Sequence, residues 1–309
     1  NWIDNTNLWL KISDDFSISI FADWLSWARD IVWPDKFWNF LISRTKEWII
    51  TMLIIEEWKV VEKTDIIKNL NNPHGLALDL DWITLYYAET NKLSKIRLYS
   101  DWNSEKIIDL PEWWRHYTRS LLMWPDGKLY ISIWSTCDTC YEKDEKIASI
   151  YRINTDWTNF EKVASWLRNS VFMAINPVSW DIWATEMWRD NLWDNTPPDE
   201  INIIKSWNDY GWPICYWQNI HDSVFDKNVY IVNPCMNKIP SQIDLQAHSA
   251  PLWLNFIPEE WWWEEYWNDL FVAYHGSWNR SETTWYKIVH IKLDDNWNEI
   301  SRRDFITWW

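Results

Sequence analysis

The 309-residue sequence predicts an all-β protein: a six-bladed β-propeller of four-stranded antiparallel blades, with the last blade incomplete. Three observations carry that prediction. Short β-type runs alternate with tight-turn signals along the whole chain, as in all-β domains. The runs recur with a period of roughly 45 to 50 residues, the length of a propeller blade. No apolar pattern of helical period is sustained. No linker or low-complexity segment divides the chain, so residues 1–309 are expected to form a single domain.

The repeats read in order as strand, turn, strand. Ala28 to Val32 is followed by Phe40 to Ser43, and His74 to Leu78 by Leu85 to Glu89. Thr118 to Leu122 is followed by Leu129 to Ser132, and Asn169 to Met173 by Asp181 to Glu186. Ala250 to Leu252 is followed by Leu270 to Tyr274. A third strand follows at Lys95 to Leu98 and at Ser149 to Ile153. These are five blade starts, with a longer insertion between Glu186 and His248. Six blades are the natural total.

The turns carry an unusual composition. The chain has 33 Trp and 4 Gly. Tryptophan follows Asp, Ser or Asn at Asp81-Trp82, Asp101-Trp102, Asp156-Trp157, Ser179-Trp180 and Asn296-Trp297. That slot of a hairpin asks for φ > 0, which Gly adopts cheaply and Trp does not. Asp126-Gly127 is the same turn with its Gly. Most turn tryptophans are therefore expected to stand where the natural chain has Gly. Trp212, Trp278 and Trp183 read as true tryptophans.

Charge excludes several partners. With 29 Lys+Arg against 45 Asp+Glu, the formal net charge is −16. Such a chain gains little from nucleic-acid phosphates or anionic lipid. The longest nearly apolar stretch, near Trp48 to Ile55, is far short of the roughly 20 residues that span a bilayer. The chain begins at Asn1 with no signal peptide visible, as a mature chain or a fragment would.

In a propeller the first strand of each blade lines the central channel, and the residues before it stand at the channel mouth. Repeat phase places His74, His116, Arg168-Asn169 and His248 at equivalent blade starts. A polar residue there either caps a turn or acts in a site.

Several segments then resemble one family. They are Asn72-Pro73-His74-Gly75-Leu76-Ala77, Arg115-His116-Tyr117-Thr118-Arg119, Leu167-Arg168-Asn169, Pro198-Asp199-Glu200-Ile201-Asn202, Asn208-Asp209-Tyr210-Gly211-Trp212-Pro213 and His275-Gly276-Ser277-Trp278-Asn279-Arg280. In this order they resemble the glucose/sorbosone dehydrogenase family, the soluble pyrroloquinoline-quinone (PQQ) sugar dehydrogenases. Writing Gly at Trp124, Trp134, Trp166, Trp188, Trp193 and Trp253 improves the likeness.

The resemblance implies a six-bladed propeller that oxidises an aldose with PQQ and Ca²⁺. It implies His116 as the base that takes the sugar hydroxyl proton, and Arg168 as the group that steadies the developing oxyanion. Asn169, Arg280 and Trp212 would meet the cofactor, with Arg280 on a PQQ carboxylate. The backbone carbonyls of Gly211 and Pro213 would sit near Ca²⁺. The carboxylate that orients the base in the family has no evident counterpart; Ser135 and Asp138 lie nearby in sequence. Family members continue for another half blade beyond the position of Trp309, hence the incomplete last blade.

The four cysteines are Cys137, Cys140, Cys215 and Cys235. The close pair could form a small disulfide loop, a redox pair or half a zinc site. Zinc needs a second close pair, and a thioredoxin-like role needs a βαβ setting. Disulfides 137–140 and 215–235 are the favoured pairing, which with the resemblance implies a secreted or periplasmic protein. The acidic residues Asp190, Asp194, Asp199 and Glu200 form a solvated loop, a Ca²⁺ site or a loop anchor.

Three functional readings follow. The first is a PQQ- and Ca²⁺-dependent aldose dehydrogenase with a sugar substrate and a separate electron acceptor. The second is a Ca²⁺-dependent lactonase-like hydrolase on the same fold, which needs a ring of side-chain carboxylates. The third is a secreted non-enzymatic propeller that binds carbohydrate or protein.

Overall fold

Strand, turn, strand recurs in the computed structural model where it recurs in the sequence. The structure describes residues 3–4, 8–13, 16–260 and 262–308. The chain forms two compact units, residues 21–136 with 144–162, and residues 1–20, 137–143 and 163–309.

The first of these units holds two complete blades and the start of a third. Blade one is a meander of Ala28–Val32, Phe40–Arg44, Ile49–Glu56 and Lys59–Ile67. Blade two is Leu76–Leu78, Thr84–Ala88, Lys92–Arg97 and Ser104–Asp109. Blade three begins with Arg119–Met123, Lys128–Ile133 and Ser149–Asn154. The strand Thr84–Ala88 shows why blades pack as they do. Successive side chains of a strand face opposite ways. Leu85 and Tyr87 therefore join Leu41, Ile50 and Met52, while Tyr86 and Ala88 join Leu121, Leu129 and Ile131. Both faces are buried, so the run Leu-Tyr-Tyr-Ala is apolar throughout. Each such large side chain stabilises by roughly 1.5–3 kcal/mol on burial.

The second unit holds blades four and five. Blade four is Met173–Ile175, Ile182–Glu186, Glu200–Ile204 and Ile243–Asp244. Blade five is Pro251–Phe256, Leu270–Tyr274, Lys287–Leu293 and Glu299–Trp308. Trp183 is fully buried between them, edge-on to Phe256 at 5.3 Å, among Ile201, Leu254 and Val272.

Two expectations are corrected. The all-β propeller reading holds, but the described residues form five sheets of four or five strands, not six. The insertion after Glu186 supplies the last two strands of blade four, not a new blade. Between Ile204 and Ile243 the chain has no long apolar run. Pro213, Pro234 and Pro240 interrupt it, and the Cys215–Cys235 disulfide and a two-residue hairpin hold it. The last blade is also not incomplete. Leu10–Ile12 pairs antiparallel with Glu299–Trp308, Leu10 opposite Trp308 and Ile12 opposite Ile306, and gives that sheet a fifth strand.

The turn tryptophans stand in strained backbone. Trp82, Trp102, Trp157, Trp180 and Trp297 have φ of 60°, 56°, 69°, 61° and 66°. Gly127, in the matching turn, has φ of 80°. Trp9, Trp24, Trp27, Trp38, Trp48, Trp58, Trp166, Trp207 and Trp217 are left-handed as well. Left-handed backbone costs an L-residue roughly 1–2 kcal/mol. None of Trp183, Trp212 and Trp278 has positive φ. Of the six positions where Gly improves the family likeness, Trp166 alone is left-handed.

Candidate active site

The blade-start residues lie where the repeat phase puts them, each a few residues before a first strand. They fall in both units, and each unit is described by itself.

In the first unit His116 is half-buried, with φ of 48°. Its Nδ1 lies 2.9 Å from the Ser135 hydroxyl and 3.1 Å from the Ser135 carbonyl. A carbonyl oxygen only accepts, so Nδ1 carries the hydrogen. In the neutral ring that leaves the lone pair on Nε2. Arg119 secures the turn that carries His116. Its guanidinium is fully buried and donates to the carbonyls of His116, Thr118 and Pro111 at 3.0, 2.7 and 2.7 Å. It also lies over the Trp113 ring.

His74 is a different case. It is buried, with Nδ1 at 3.0 Å from the Arg119 carbonyl, and burial lowers its pKa to about 3. It is a neutral packing residue. The adjacent Gly75 allows the backbones to meet: a Cβ there would lie 2.6 Å from the Arg119 carbonyl.

In the second unit Arg168 is 2% exposed. Its Nε donates to the Asp138 carbonyl at 2.9 Å, one Nη to Asp138 Oδ1 at 2.8 Å and the other to the Met187 carbonyl at 2.9 Å. Asp190 is a second carboxylate at 3.9 Å. The indole of Trp212 donates to the same Asp138 carbonyl at 3.3 Å. Asp138 thus belongs to Arg168. The residue that holds His116 is Ser135.

Asn169 follows Arg168 and is buried. Its backbone N–H donates to Glu186 at 2.5 Å, and its side-chain Oδ1 has no partner. Burying an unpaired carbonyl is costly, so this oxygen suits a donor or cation that a ligand brings. The Gly211 carbonyl is already engaged: the N–H groups of Ile214 and Cys215 donate to it at 3.0 and 2.8 Å. Gly211 has φ of 90°, and a Cβ would lie 2.7 Å from that of Cys215. Pro213 is buried in the same turn. Arg280 is engaged too, on the carbonyls of Glu282, Asp194 and Ala247 and on the Asn195 side chain. It ties down the Asp194 loop. His248 accepts or donates at both ring nitrogens, towards the Trp193 carbonyl at 2.8 Å and the Asn279 amide at 3.3 Å.

Asp199 and Glu200, which the sequence leaves unresolved, and Glu186 act as backbone anchors. Glu186 takes the Asn169 N–H and the Ser170 hydroxyl, Asp199 takes the N–H groups of Trp188 and Ala250, and Glu200 takes that of Trp217. Burial raises them to about 7, 6 and 8 respectively. Both expected disulfides are formed. The sulfurs of Cys137 and Cys140 lie near Glu142, but they are bonded to each other and are not metal ligands.

Each unit is all-β and carries polar residues at its blade starts. The family follows from comparison: the TrAA12-like family model matches residues 10–304, and the chain belongs to that family. Among solved structures, the calcium structure of a Trichoderma reesei carbohydrate-active enzyme of family AA12 is similar with TM-score 0.84 and 18% identity. The match covers 98% of this chain and 90% of that one. The holo PQQ domain of Coprinopsis cinerea pyranose dehydrogenase is similar with TM-score 0.82 and 16% identity, over 99% and 89%. The PQQ-bound aldose sugar dehydrogenase of Streptomyces coelicolor gives 0.68 and 16%, over 96% and 84%. An uncharacterised protein of Borreliella burgdorferi is 40% identical over 152 residues. The match covers 48% of this chain and 39% of that relative's length.

Proposed function

We propose that this protein is a PQQ-dependent oxidoreductase that oxidises an aldose at its anomeric carbon. The observation that carries the reading is the pairing of His116 Nδ1 with Ser135, which fixes the tautomer and the plane of the ring. When bound, PQQ supplies the two-electron acceptor for the sugar's hydride. His116 Nε2 takes the hydroxyl proton, so the aldose loses two electrons and two protons and becomes a lactone. Arg168, taken within its own unit, is a buried cation held rigid by Asp138 and Met187, the kind of fixed charge that steadies a developing oxyanion. The orphaned Oδ1 of Asn169 fits a donor on the cofactor or a cation.

Two residues fit less well. Arg280 is spent on the Asp194 loop and does not fit a role on a PQQ carboxylate in this arrangement. The doubly engaged Gly211 carbonyl does not fit a Ca²⁺ ligand. Calcium enters the proposal by family resemblance, with Pro213 as the remaining carbonyl, and no step is routed through it. The hydrolase reading is disfavoured because Glu186, Asp199 and Glu200 are spent on backbone N–H groups. Two disulfides support an oxidising, extracytoplasmic location, and the electron acceptor is a separate partner.

The test is the rate of sugar-dependent quinone reduction in His116→Ala. A large loss with PQQ binding unchanged supports the assignment of the base. Equal rates sink it.

A further inference from the structure

We propose that Asp138 is a positioning residue for Arg168, and that the Cys137–Cys140 disulfide is the clamp that holds Asp138 in place. The inference rests on the dehydrogenase reading for its catalytic consequence, but its structural content stands apart from it.

Asp138 is the point where three otherwise separate segments meet. Its carbonyl accepts from Arg168 Nε at 2.9 Å and from the Trp212 indole at 3.3 Å. Its Oδ1 accepts from Arg168 at 2.8 Å and from the backbone N–H of Asp190 at 2.9 Å. One residue thus fixes two of the three nitrogens of a buried guanidinium. The fork is planar and rigid, so two parallel bonds set both its position and its plane. The third nitrogen is set by the Met187 carbonyl.

Asp138 has no regular structure of its own. It lies in the bend that follows Lys128–Ile133, outside any strand ladder. Such a segment samples many conformations when unconstrained. Here it is the second residue of a four-residue loop closed by a disulfide, with sequence separation 3. The short covalent ring removes that freedom at the residue whose carbonyl and carboxylate must both point at Arg168. A clamp is needed because both acceptors come from one residue: a rotation about its backbone moves them together off the guanidinium. The Glu142 carboxylate, 3.9 and 3.8 Å from the two sulfurs, packs against the same loop.

Charge adds a second role. Arg168 is buried, and a buried cation needs a partner. Asp138 is its close carboxylate at 2.8 Å, with Asp190 at 3.9 Å. Replacing Asp138 by Asn keeps the oxygen and removes the charge, whereas cutting the disulfide keeps the charge and frees the loop. The two variants separate the two roles.

The experiment compares the wild type with Cys137→Ser/Cys140→Ser and with Asp138→Asn. The first readout is hydrogen exchange of the Arg168 Nε–H and the Asp190 N–H by NMR, which needs no cofactor. The double serine variant is expected to speed both exchanges at least tenfold, with the far-UV spectrum of the β-sheet unchanged. Asp138→Asn is expected to keep the Nε–H slow, because its acceptor is a backbone carbonyl. The second readout is steady-state kinetics of the PQQ-loaded protein with an aldose. Asp138→Asn is expected to lower kcat by ~10–100-fold, the scale of a misplaced or mischarged group, with sugar KM within about twofold, because the group acts on the developing charge and not on sugar binding. Unchanged exchange in the serine variant overturns the clamp. Wild-type kcat in Asp138→Asn overturns the positioning role. If the wild type itself binds no PQQ, the dehydrogenase reading fails while the exchange result still decides the clamp.

Discussion

Ser135 holds His116 by two oxygens on one ring nitrogen: its hydroxyl at 2.9 Å and its carbonyl at 3.1 Å from Nδ1. A neutral pair takes the place of the carboxylate expected beside the proposed base. A carboxylate would stabilise the imidazolium by charge; a serine and a carbonyl fix only the tautomer and the ring plane. Removing the hydroxyl should therefore cost little. Ser135→Ala is expected to lower kcat about fivefold, the kinetic equivalent of one neutral hydrogen bond of ~1 kcal/mol. Removing the ring in His116→Ala should cost ~10²–10⁴-fold. Stopped-flow quinone reduction of the two variants checks the ratio.

The tryptophan turns make a prediction about the molecule itself. Trp82 is half exposed and left-handed, between Asp81 and a strand. Trp82→Gly, and likewise Trp157→Gly and Trp297→Gly, should each stabilise by roughly 1–2 kcal/mol. The natural chain is expected to carry Gly at such positions already. Its intact mass then falls below that of the written sequence by one Trp-to-Gly difference for each.

Buried carboxylates set the pH dependence of stability. Glu186, Glu200 and Asp30 have pKa values raised by burial to about 7, 8 and 7. A raised acid binds its proton more tightly when folded, so its contribution is full below the unfolded pKa and is lost as pH rises through the folded one. His74 works the other way: lowered to about 3, it favours the fold above its ordinary pKa and opposes it as pH falls. Thermal unfolding should show Tm falling from about pH 5 to about pH 8 and levelling off above that. Glu200→Gln keeps an oxygen towards the Trp217 N–H and should flatten that fall.

The long insertion depends on its disulfide. Cys215 and Cys235 are 20 residues apart and both buried. The segment they close contributes little regular structure, so chain entropy weighs heavily there. Cys215→Ala/Cys235→Ala should cost about 3 kcal/mol by loop-closure entropy, read as a drop in denaturation midpoint.

Much of this was legible in the sequence because blades repeat. Strands such as Thr84–Ala88 and Lys128–Ile133 are apolar runs between turn residues, and period and turn chemistry locate them without knowledge of their partners. The left-handed turns were legible at Trp82 and Trp157 because Asp precedes them as it precedes Gly127. The blade count was not. Whether the stretch from Ile204 to Ile243 forms strands depends on long-range pairing, and the closure of the last blade depends on Leu10–Ile12, almost three hundred residues from its partner. Candidate site residues were named where a motif carries them, as with His116, Arg168 and Asn169. Ser135 and Asp138 were legible only as sequence neighbours of His116; which group each holds, and the part of Glu186, rest on bonds of 16 to 30 residues' separation that no local pattern encodes. Arg280 and Gly211 show the converse. The motif names them, but three-dimensional neighbours already engage them.

The most direct test of the account is a titration of the purified protein with PQQ in the presence of Ca²⁺, followed by a panel of aldoses. The cofactor's absorbance reports both steps. The account predicts saturable binding and then sugar-dependent bleaching that His116→Ala slows. A protein of verified intact mass that neither binds PQQ nor bleaches it would contradict the account.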